Sequence, residues 1–559
     1  MKLLNQLNQL SQQNINKKAT KSATLVPKGA SKSTAQSPDD VYDATAITSW
    51  LVTQLAERLD LPVEEIEIHK DFTEYGLNSI EAVNLSGNLE NFLGRRLDPT
   101  LLWDYPNIQA LALYLANQDR PQTPDDTNGA ATNGLMANGA PSMDESSDDV
   151  PEQYYRFDRF PEYRKLKGQL EQITQLGLRN PYFNVQERVC NDTTVIGGRE
   201  LINYSSYNYV GMSGDPMVSQ AAKEAIDRYG TSVSASRIAS GEKPLHRELE
   251  KAVAEFVGAE DSIVYIGGHS TNVSTIGHLF GKNDLIVHDS LSHNSIMQGC
   301  ILSGATAIAF PHNDYVALES ILGDRRHRYN RVLIVIEGVY STDGDIPELP
   351  KFIELNKRYK TLLMVDEAHS IGVLGKHGRG IGEMFGVNPA DVDLWMGTFS
   401  KSFASCGGYI AGCKELVEYL KYTAPGFVYS VGMSPANTAA ALASLQVLQA
   451  EPQRVAILQQ RAKLFLDLAR QRGLNTGMSA GSPVIPIIVG ETYKCIKLSQ
   501  ALFDRGINVQ PLGAPSVPEG TARLRFFVTS THTEEQIRST VDILAQEWAK
   551  LETADAMSA

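Results

Sequence analysis

The residues of this chain best suited to chemistry are a lysine and an aspartate set 35 positions apart. Lys401 lies in TFSKSFASCGGYIAG (398–412), where Thr398, Ser400 and Ser402 offer hydroxyls and Gly407 and Gly408 let a backbone come close. An amine among hydroxyls and small residues suits covalent attachment of a phosphorylated carbonyl compound. Upstream, TLLMVDEAHSIG (361–372) reads as a short buried strand that delivers Asp366 and, three residues later, His369 at its carboxyl end. In an open α/β sheet, ligands bind beyond the carboxyl ends of the strands. An aspartate there can keep a pyridine nitrogen protonated, so that the ring accepts electrons from a carbon next to the linking nitrogen, which points to pyridoxal phosphate (PLP). A lysine in a serine-rich loop is ordinarily a solvated charge, and D-x-x-H is ordinarily a helix cap with an incidental histidine. Their order, with the apolar DLWMGTF just before the lysine, weighs against both plain readings.

The elements that must position these residues carry further motifs in a fixed order. They are SYNYVGM (206–212), YGTSVSASRIASGEKPLHRELE (229–250), VHDSLSHNSI (287–296), EGVYSTDGD (337–345), VDEAHSIGVLGKHGRG (365–380), MGTFSKSF (396–403) and ARLRFFVTSTHT (522–533). Residues 155 to 550 thereby resemble the α-oxoamine synthases, PLP enzymes that condense an amino acid with an acyl thioester and release carbon dioxide. EGVYSTDGD and MGTFSKSF resemble most the serine palmitoyltransferase branch. The resemblance implies a fold type I PLP-dependent transferase, with a mostly parallel central sheet and a small C-terminal α/β domain.

Carried over residue by residue, the resemblance makes Lys401 both the covalent anchor of PLP and the base for the α-proton. It assigns Asp366 to the pyridine nitrogen, His369 to the phenolic oxygen, and His293 to the exposed face of the ring and the substrate carboxylate. Gly268 and His269 fall where the family offers backbone N–H groups to the phosphate at a helix N-terminus. The family more usually has an aromatic residue or cysteine in place of His269. Ser341 and Thr398 match hydroxyl positions near the ring and phosphate. Arg525 matches a bidentate clamp on the amino acid carboxylate, for which guanidinium is suited, and Asn208 a contact to the same group. Where the family has a run of hydroxyls reaching the neighbouring subunit's phosphate, this chain has YSVGMSP (429–435), with Ser430 alone at the expected place.

A second unit precedes the first. Ile47, Trp50, Leu51, Leu55 and Leu59 have helical spacing, and Val83, Leu89, Phe92 and Leu93 suit a helix beginning after Ser79, together predicting a small all-α bundle. DFTEYGLNSIEAVNL and LDPTLLWDYPNIQALALYLA resemble an acyl carrier domain of the modular polyketide type, which implies that Ser79 receives 4′-phosphopantetheine. Carrier domains more often have Asp before this serine, where the chain has Asn78. A phosphodiester at the start of a helix would meet unpaired N–H groups and the positive helix end; a plain serine N-cap is the ordinary alternative.

The domain organisation expected is a disordered leader (1–42), carrier domain (43–118), flexible linker (119–151), synthase domain (152–552) and tail (553–559). As a flexible coil the linker has an r.m.s. span of roughly 30 Å, so a tethered acyl group would act at an effective concentration of order millimolar. At 559 residues the chain is ample for a large core, and its net charge of −14 argues against a nucleic-acid partner. The five cysteines have no metal-ligand spacing and read as reduced cytosolic thiols, and no apolar run is long enough to span a membrane.

These readings converge on a decarboxylative condensation of serine, glycine or alanine with an acyl thioester held on the fused carrier, giving an α-aminoketone. The partners expected are a phosphopantetheinyl transferase, an acyl-loading enzyme or a polyketide or fatty acid synthase, and a second copy of the chain in a cytoplasmic homodimer. Three other readings compete: an aminotransferase acting on a carrier-bound keto group, a degenerate scaffold serving as an interaction module, and a peptidyl carrier loaded with an amino acid.

Overall fold

The computed structural model describes residues 43–59, 62–70, 107–118, 150–513 and 516–558, with residues 72, 75, 85, 89, 92 and 93 between them. The leader, most of the linker, and Ser79 with its neighbours Gly76 and Asn78 lie outside the described residues. The chain divides into two compact units, Met1–Ala131 and Thr132–Ala559.

In the first unit, helix α1 (Ala44–Leu59) buries Ile47, Leu51 and Leu55 completely, the i, i+4, i+8 stripe expected. They pack with Ile66, Phe72, Leu85 and Leu89 and with Ile108, Leu111 and Leu115 of α2 (Ile108–Gln118). Trp50 stacks on Phe92 at 4.9 Å between ring centroids. Each such side chain contributes about 1.5–3 kcal/mol on burial, so a short helical unit can close one core.

The second unit opens with α3 (Pro161–Gln175) and the hairpin β1 (Thr193–Ile196) and β2 (Arg199–Asn203). Its centre is a seven-stranded sheet made of β3 (Asp261–Tyr265), β4 (Leu285–Asp289), β5 (Thr306–Phe310), β6 (Val332–Glu337), β7 (Leu362–Asp366), β8 (Leu394–Thr398) and β9 (Gly408–Gly412), in the order β3-β9-β8-β7-β6-β4-β5. Only β9 runs against its neighbours. The parallel strands are covered on both faces, and so β6 (VLIVIE) is buried at every position, as continuous apolar runs require. Two helices follow sheet strands directly: α4 (Gly268–Leu279) after β3, and α5 (Asn294–Ser303) after β4. A smaller domain has its own core around Leu524, Phe526 and Ile485, built on the sheet β10 (Val484–Gly490), β13 (Ala522–Phe527) and β12 (Gln510–Leu512). The two-residue β11 (Ile507–Asn508) pairs in parallel with β2, and α6 (Glu534–Ser558) ends the described chain.

The arrangement has one consequence for chemistry. Asp289, Glu337, Asp366 and Thr398 close four adjacent strands, with Glu337 directly opposite Asp366 in the β6–β7 register. Among the described residues no helix is long and apolar enough to cross a membrane.

Candidate active site

Asp366 ends β7 with 4% of its surface exposed, and its position is fixed from two sides. Oδ1 accepts the Ala368 backbone N–H at 2.9 Å, and Oδ2 accepts from Asn272 Nδ2 at 2.8 Å. Asn272 lies on α4 and also donates to Ser295 Oγ at 2.9 Å. The Ser295 hydroxyl lies 2.8 Å from His293 Nδ1, which accepts the Ser295 backbone N–H at 3.2 Å. One amide thus links the carboxylate of Asp366 to the ring of His293. Because His293 caps α5 through Nδ1, its neutral ring carries the proton on Nε2. Burial lowers its pKa against the raising effect of Asp366, and Lys401, His269 and Arg525 lower it further.

His369 is buried, and its Nδ1 lies 2.7 Å from the Tyr209 hydroxyl. Burial first, then the charges of Lys401 and Arg525, hold the imidazole well below its ordinary pKa, so the ring is neutral at neutral pH. Burial pushes the Tyr209 phenol well above its usual value, so that hydroxyl keeps its proton and can donate. Donation to Nδ1 leaves the Nε2–H of His369 as an outward donor.

Lys401 follows β8 by three residues. Its Nζ stands 5.8 Å from the Tyr207 ring, which in turn lies edge-on to His369 at 5.8 Å and to Phe527 at 4.7 Å. Burial lowers the Lys401 pKa, opposed by Asp366 and Glu337. A lysine shifted this way has a larger share of the neutral, nucleophilic amine.

A cradle lies at the start of α4. Gly268 opens the helix, and the first-turn N–H groups of Gly268, His269 and Ser270 precede its first intrahelical bond, from Thr271 N–H to Gly267 O. A Cβ at Gly268 would stand 2.6 Å from Thr398 Oγ1, and one at Gly408 2.5 Å from Thr271 Oγ1. Those glycines keep open a space rimmed by hydroxyls and helix N–H groups, which suits a phosphate. Thr398 Oγ1 donates to Gly407 O at 2.9 Å and lies 2.8 Å from Ser400 Oγ. The exposed His269 meets His293 edge-on at 6.4 Å.

On the opposite side, Arg525 projects from β13 with its guanidinium 4.7 Å over Phe527, and donates from Nη1 to the Ser341 carbonyl at 3.0 Å. Ser341 therefore meets Arg525 through its backbone. Arg523, two residues earlier on the same face, pairs with buried Asp343 at 2.6 Å, so the 341–343 loop is docked on β13 at two points.

Three expectations need correction or a limit. The Asn208 amide turns away from Arg525: Nδ2 donates to Asn191 Oδ1 and to the carbonyls of Cys190 and Ser213, and Oδ1 accepts the Ser213 N–H. Its neighbours Tyr207 and Tyr209 face the site instead, as alternation along an extended segment dictates. Ser402 is also turned away, donating to Ile371 O at 2.7 Å. Ser430, expected to reach a neighbouring subunit's phosphate, sits between the helices Pro425–Val428 and Pro435–Ala450, beside Tyr429, which is 86% exposed, and among the described residues no hydrogen bond ties it to those around Lys401 of its own chain.

A lysine of lowered pKa, a fixed aspartate, a neutral histidine with an outward donor, and a glycine-built anion cradle together fit PLP. The model for the aminotransferase class I and II family matches residues 199–544, and that for the phosphopantetheine attachment site matches residues 49–115. An 8-amino-7-oxononanoate synthase of Fervidobacterium nodosum is 39% identical over 385 residues, covering 68% of this chain and 96% of that protein. Another from Geobacter sulfurreducens is 39% identical over 68% of this chain and 97% of its own. Among solved structures, the Sphingomonas wittichii serine palmitoyltransferase superposes with a TM-score of 0.68 at 32% identity, covering 70% of this chain and 98% of that one. The chain belongs to the PLP-dependent aminotransferase class I and II family, among its α-oxoamine synthases, and carries a phosphopantetheine attachment domain before the catalytic one.

Proposed function

We propose that the protein condenses an L-amino acid (serine, glycine or alanine) with an acyl thioester carried on its own Ser79 arm, giving an α-aminoketone, carbon dioxide and the free thiol. The observation that supports this best is the joining, in one chain, of an α-oxoamine synthase and a phosphopantetheine attachment domain. An enzyme class that consumes a thioester is fused to a module that displays one.

PLP, held at Lys401, supplies an electron sink conjugated to the α-carbon of the amino acid. Asp366, fixed by Asn272 and Ala368, holds the proton on the pyridine nitrogen. His369 turns its Nε2–H to the phenolic oxygen because Tyr209 occupies Nδ1. Gly268, His269 and Thr398 hold the phosphate in the cradle at α4, and Ser341 lines the ring. Ser430 is assigned to the phosphate edge reached from a second subunit. Arg525 grips the amino acid carboxylate, its guanidinium resting on Phe527, which meets Tyr207 beside Lys401. His293 would lie against the ring and help orient the substrate carboxylate. Lys401, whose pKa burial lowers, takes the α-proton. A C–C bond then forms between the α-carbon and the thioester carbonyl as the C–S bond breaks and the thiol leaves with a proton; the carboxylate departs as carbon dioxide, and the α-carbon takes up a proton from solvent in its place.

The serine palmitoyltransferase-like strings favour serine. The domain bounds proposed are 43–118 for the carrier and 152–552 for the synthase, flanked by a leader, linker and tail. A phosphopantetheinyl transferase modifies Ser79, and a separate acyl-loading enzyme or a polyketide or fatty acid synthase fills the arm. We place the protein in the cytoplasm as a homodimer; large apolar side chains left exposed on the catalytic unit, among them Ile301, Leu302, Tyr422 and Tyr429, support the pairing of two copies.

The test incubates holo-protein and an acyl donor with a panel of amino acids, following carbon dioxide release together with loss of the α-proton. Carbon dioxide released with one of the three amino acids supports the reading. Release of a keto acid without carbon dioxide would replace it with transamination.

A further inference from the structure

Three carboxylates line the carboxyl edge of the sheet on adjacent strands, and among the described residues only Asp289 has an ion-pair partner. Asp289 of β4 accepts from His312 Nδ1 at 2.8 Å, and the same ring reaches Asp345 at 2.8 Å through Nε2. The two carboxylates raise the His312 pKa to about 10 against the lowering effect of burial, so this ring is a cation at neutral pH and balances them. Asp366 of β7 faces Lys401 and, in the reading above, the pyridinium nitrogen. Glu337 of β6 stands between them with 4% of its surface exposed. Among the described residues no Lys, Arg or His lies within ion-pair distance of it. What it does hold is the backbone N–H of His293, which donates to Oε1 at 2.6 Å. That bond anchors the turn from which the His293 ring is presented.

We infer that Glu337 is a positioning residue that works as a neutral carboxylic acid, fixing the His293 backbone through Oε1 while leaving Asp366 the sole negative charge facing the cofactor nitrogen. A carboxylate at Glu337 would repel the carboxylate of Asp366 directly opposite it, whereas a proton on Glu337 leaves Asp366, held by the Asn272 and Ala368 N–H groups, free to stay ionised. The groups facing Glu337 are Asp366 from β7, Asp289 from β4, Lys401 from the loop after β8, His293 at the start of α5, and Tyr340 from the loop after β6. Burial, reinforced by the charges of Asp366 and Asp289, raises the Glu337 pKa well above the usual carboxylate value; the His293 N–H and Lys401 oppose the rise and do not reverse it.

The role given to His293 rests on the function proposed above, whereas the protonation state does not, and the test separates them. Infrared difference spectra of the holoenzyme, wild type minus Glu337→Gln, should show at neutral pH the carbonyl stretch of a protonated carboxyl group that fades only as the pH is raised well above neutral. Absence of that band at neutral pH overturns the inference. In kinetics, Glu337→Ala should lower kcat roughly tenfold, and Glu337→Gln, a neutral acceptor of the same length, should restore most of it and flatten the alkaline limb of the pH profile. A Glu337→Gln enzyme as impaired as Glu337→Ala also overturns it. If Glu337→Gln does not fold, the wild-type band and its loss on raising the pH, read against Asp366→Asn, decide alone. A preparation that shows the band and releases no carbon dioxide with any amino acid refutes the proposed reaction and leaves the protonation inference standing.

Discussion

Two buried polar clusters in the catalytic unit solve the same problem differently. Around Arg237 every charge has a local answer. Its guanidinium meets Glu250 and Glu242 at 2.6 Å each, and Lys421 adds a 3.0 Å contact to Glu250. At the carboxyl edge of the sheet, Asp366, Lys401, Glu337 and Arg525 crowd together, and among the described residues none forms an ion pair within 4 Å. Buried charges left without partners are expensive. A fold keeps them where a ligand completes the set, and the difference between the clusters marks which is structural and which awaits a cofactor.

Substitutions in the two clusters should therefore fail in different currencies. Lys401→Ala should lower turnover by about 10⁴-fold, ~5 kcal/mol, without lowering the Tm of the apoprotein, because it removes a half-buried amine that has no ion-pair partner among the described residues. Kinetics and calorimetry on one preparation check both halves; a large loss of Tm would break the contrast. Arg237→Leu should do the reverse, costing about 3–5 kcal/mol of stability by removing both guanidinium pairs and leaving buried Glu250 with Lys421 alone, while KM for the amino acid stays unchanged in the folded fraction. Denaturant titration reads the first effect and steady-state kinetics the second. Asn272→Ala removes the donor shared by Asp366 and Ser295 and should cost about 1–3 kcal/mol, seen as roughly tenfold or weaker PLP binding in a cofactor-release titration. Tyr209→Phe, which frees the tautomer of His369, should cost about 1 kcal/mol in kcat/KM, with a pH profile altered on the limb set by the imidazole. Equal effects of all four on stability alone would erase the distinction.

Lys401 and Asp366 are legible in the sequence because both follow or end apolar strands, where composition and position coincide. The strand read at 361–366 is observed at Leu362–Asp366, and the first carrier helix buries the expected stripe. Asn272, Tyr209 and Glu337 escape such reading because their roles arise from long-range contacts: Asn272 with Asp366 across 94 positions, Tyr209 with His369 across 160, and Glu337 with His293 across 44. Asn272 did leave a trace, standing one helical turn after Gly268 at the phosphate cradle. Asn208 shows the opposite failure. In SYNYVG alternate side chains face opposite ways, and a motif match names the segment without saying which residue of it looks inward.

The central claim is that the amino acid activated at Lys401 attacks an acyl group borne by the same polypeptide. A single-turnover experiment on acylated holo-protein, free of any acyl donor in solution, tests it most directly by intact-mass spectrometry with carbon dioxide trapping. The account predicts that adding the amino acid removes the acyl mass from the Ser79 arm and releases one carbon dioxide per acyl group lost, and that Lys401→Ala protein keeps its acyl mass. An acyl group that stays on Ser79 while a free acyl thioester added later is consumed would contradict it.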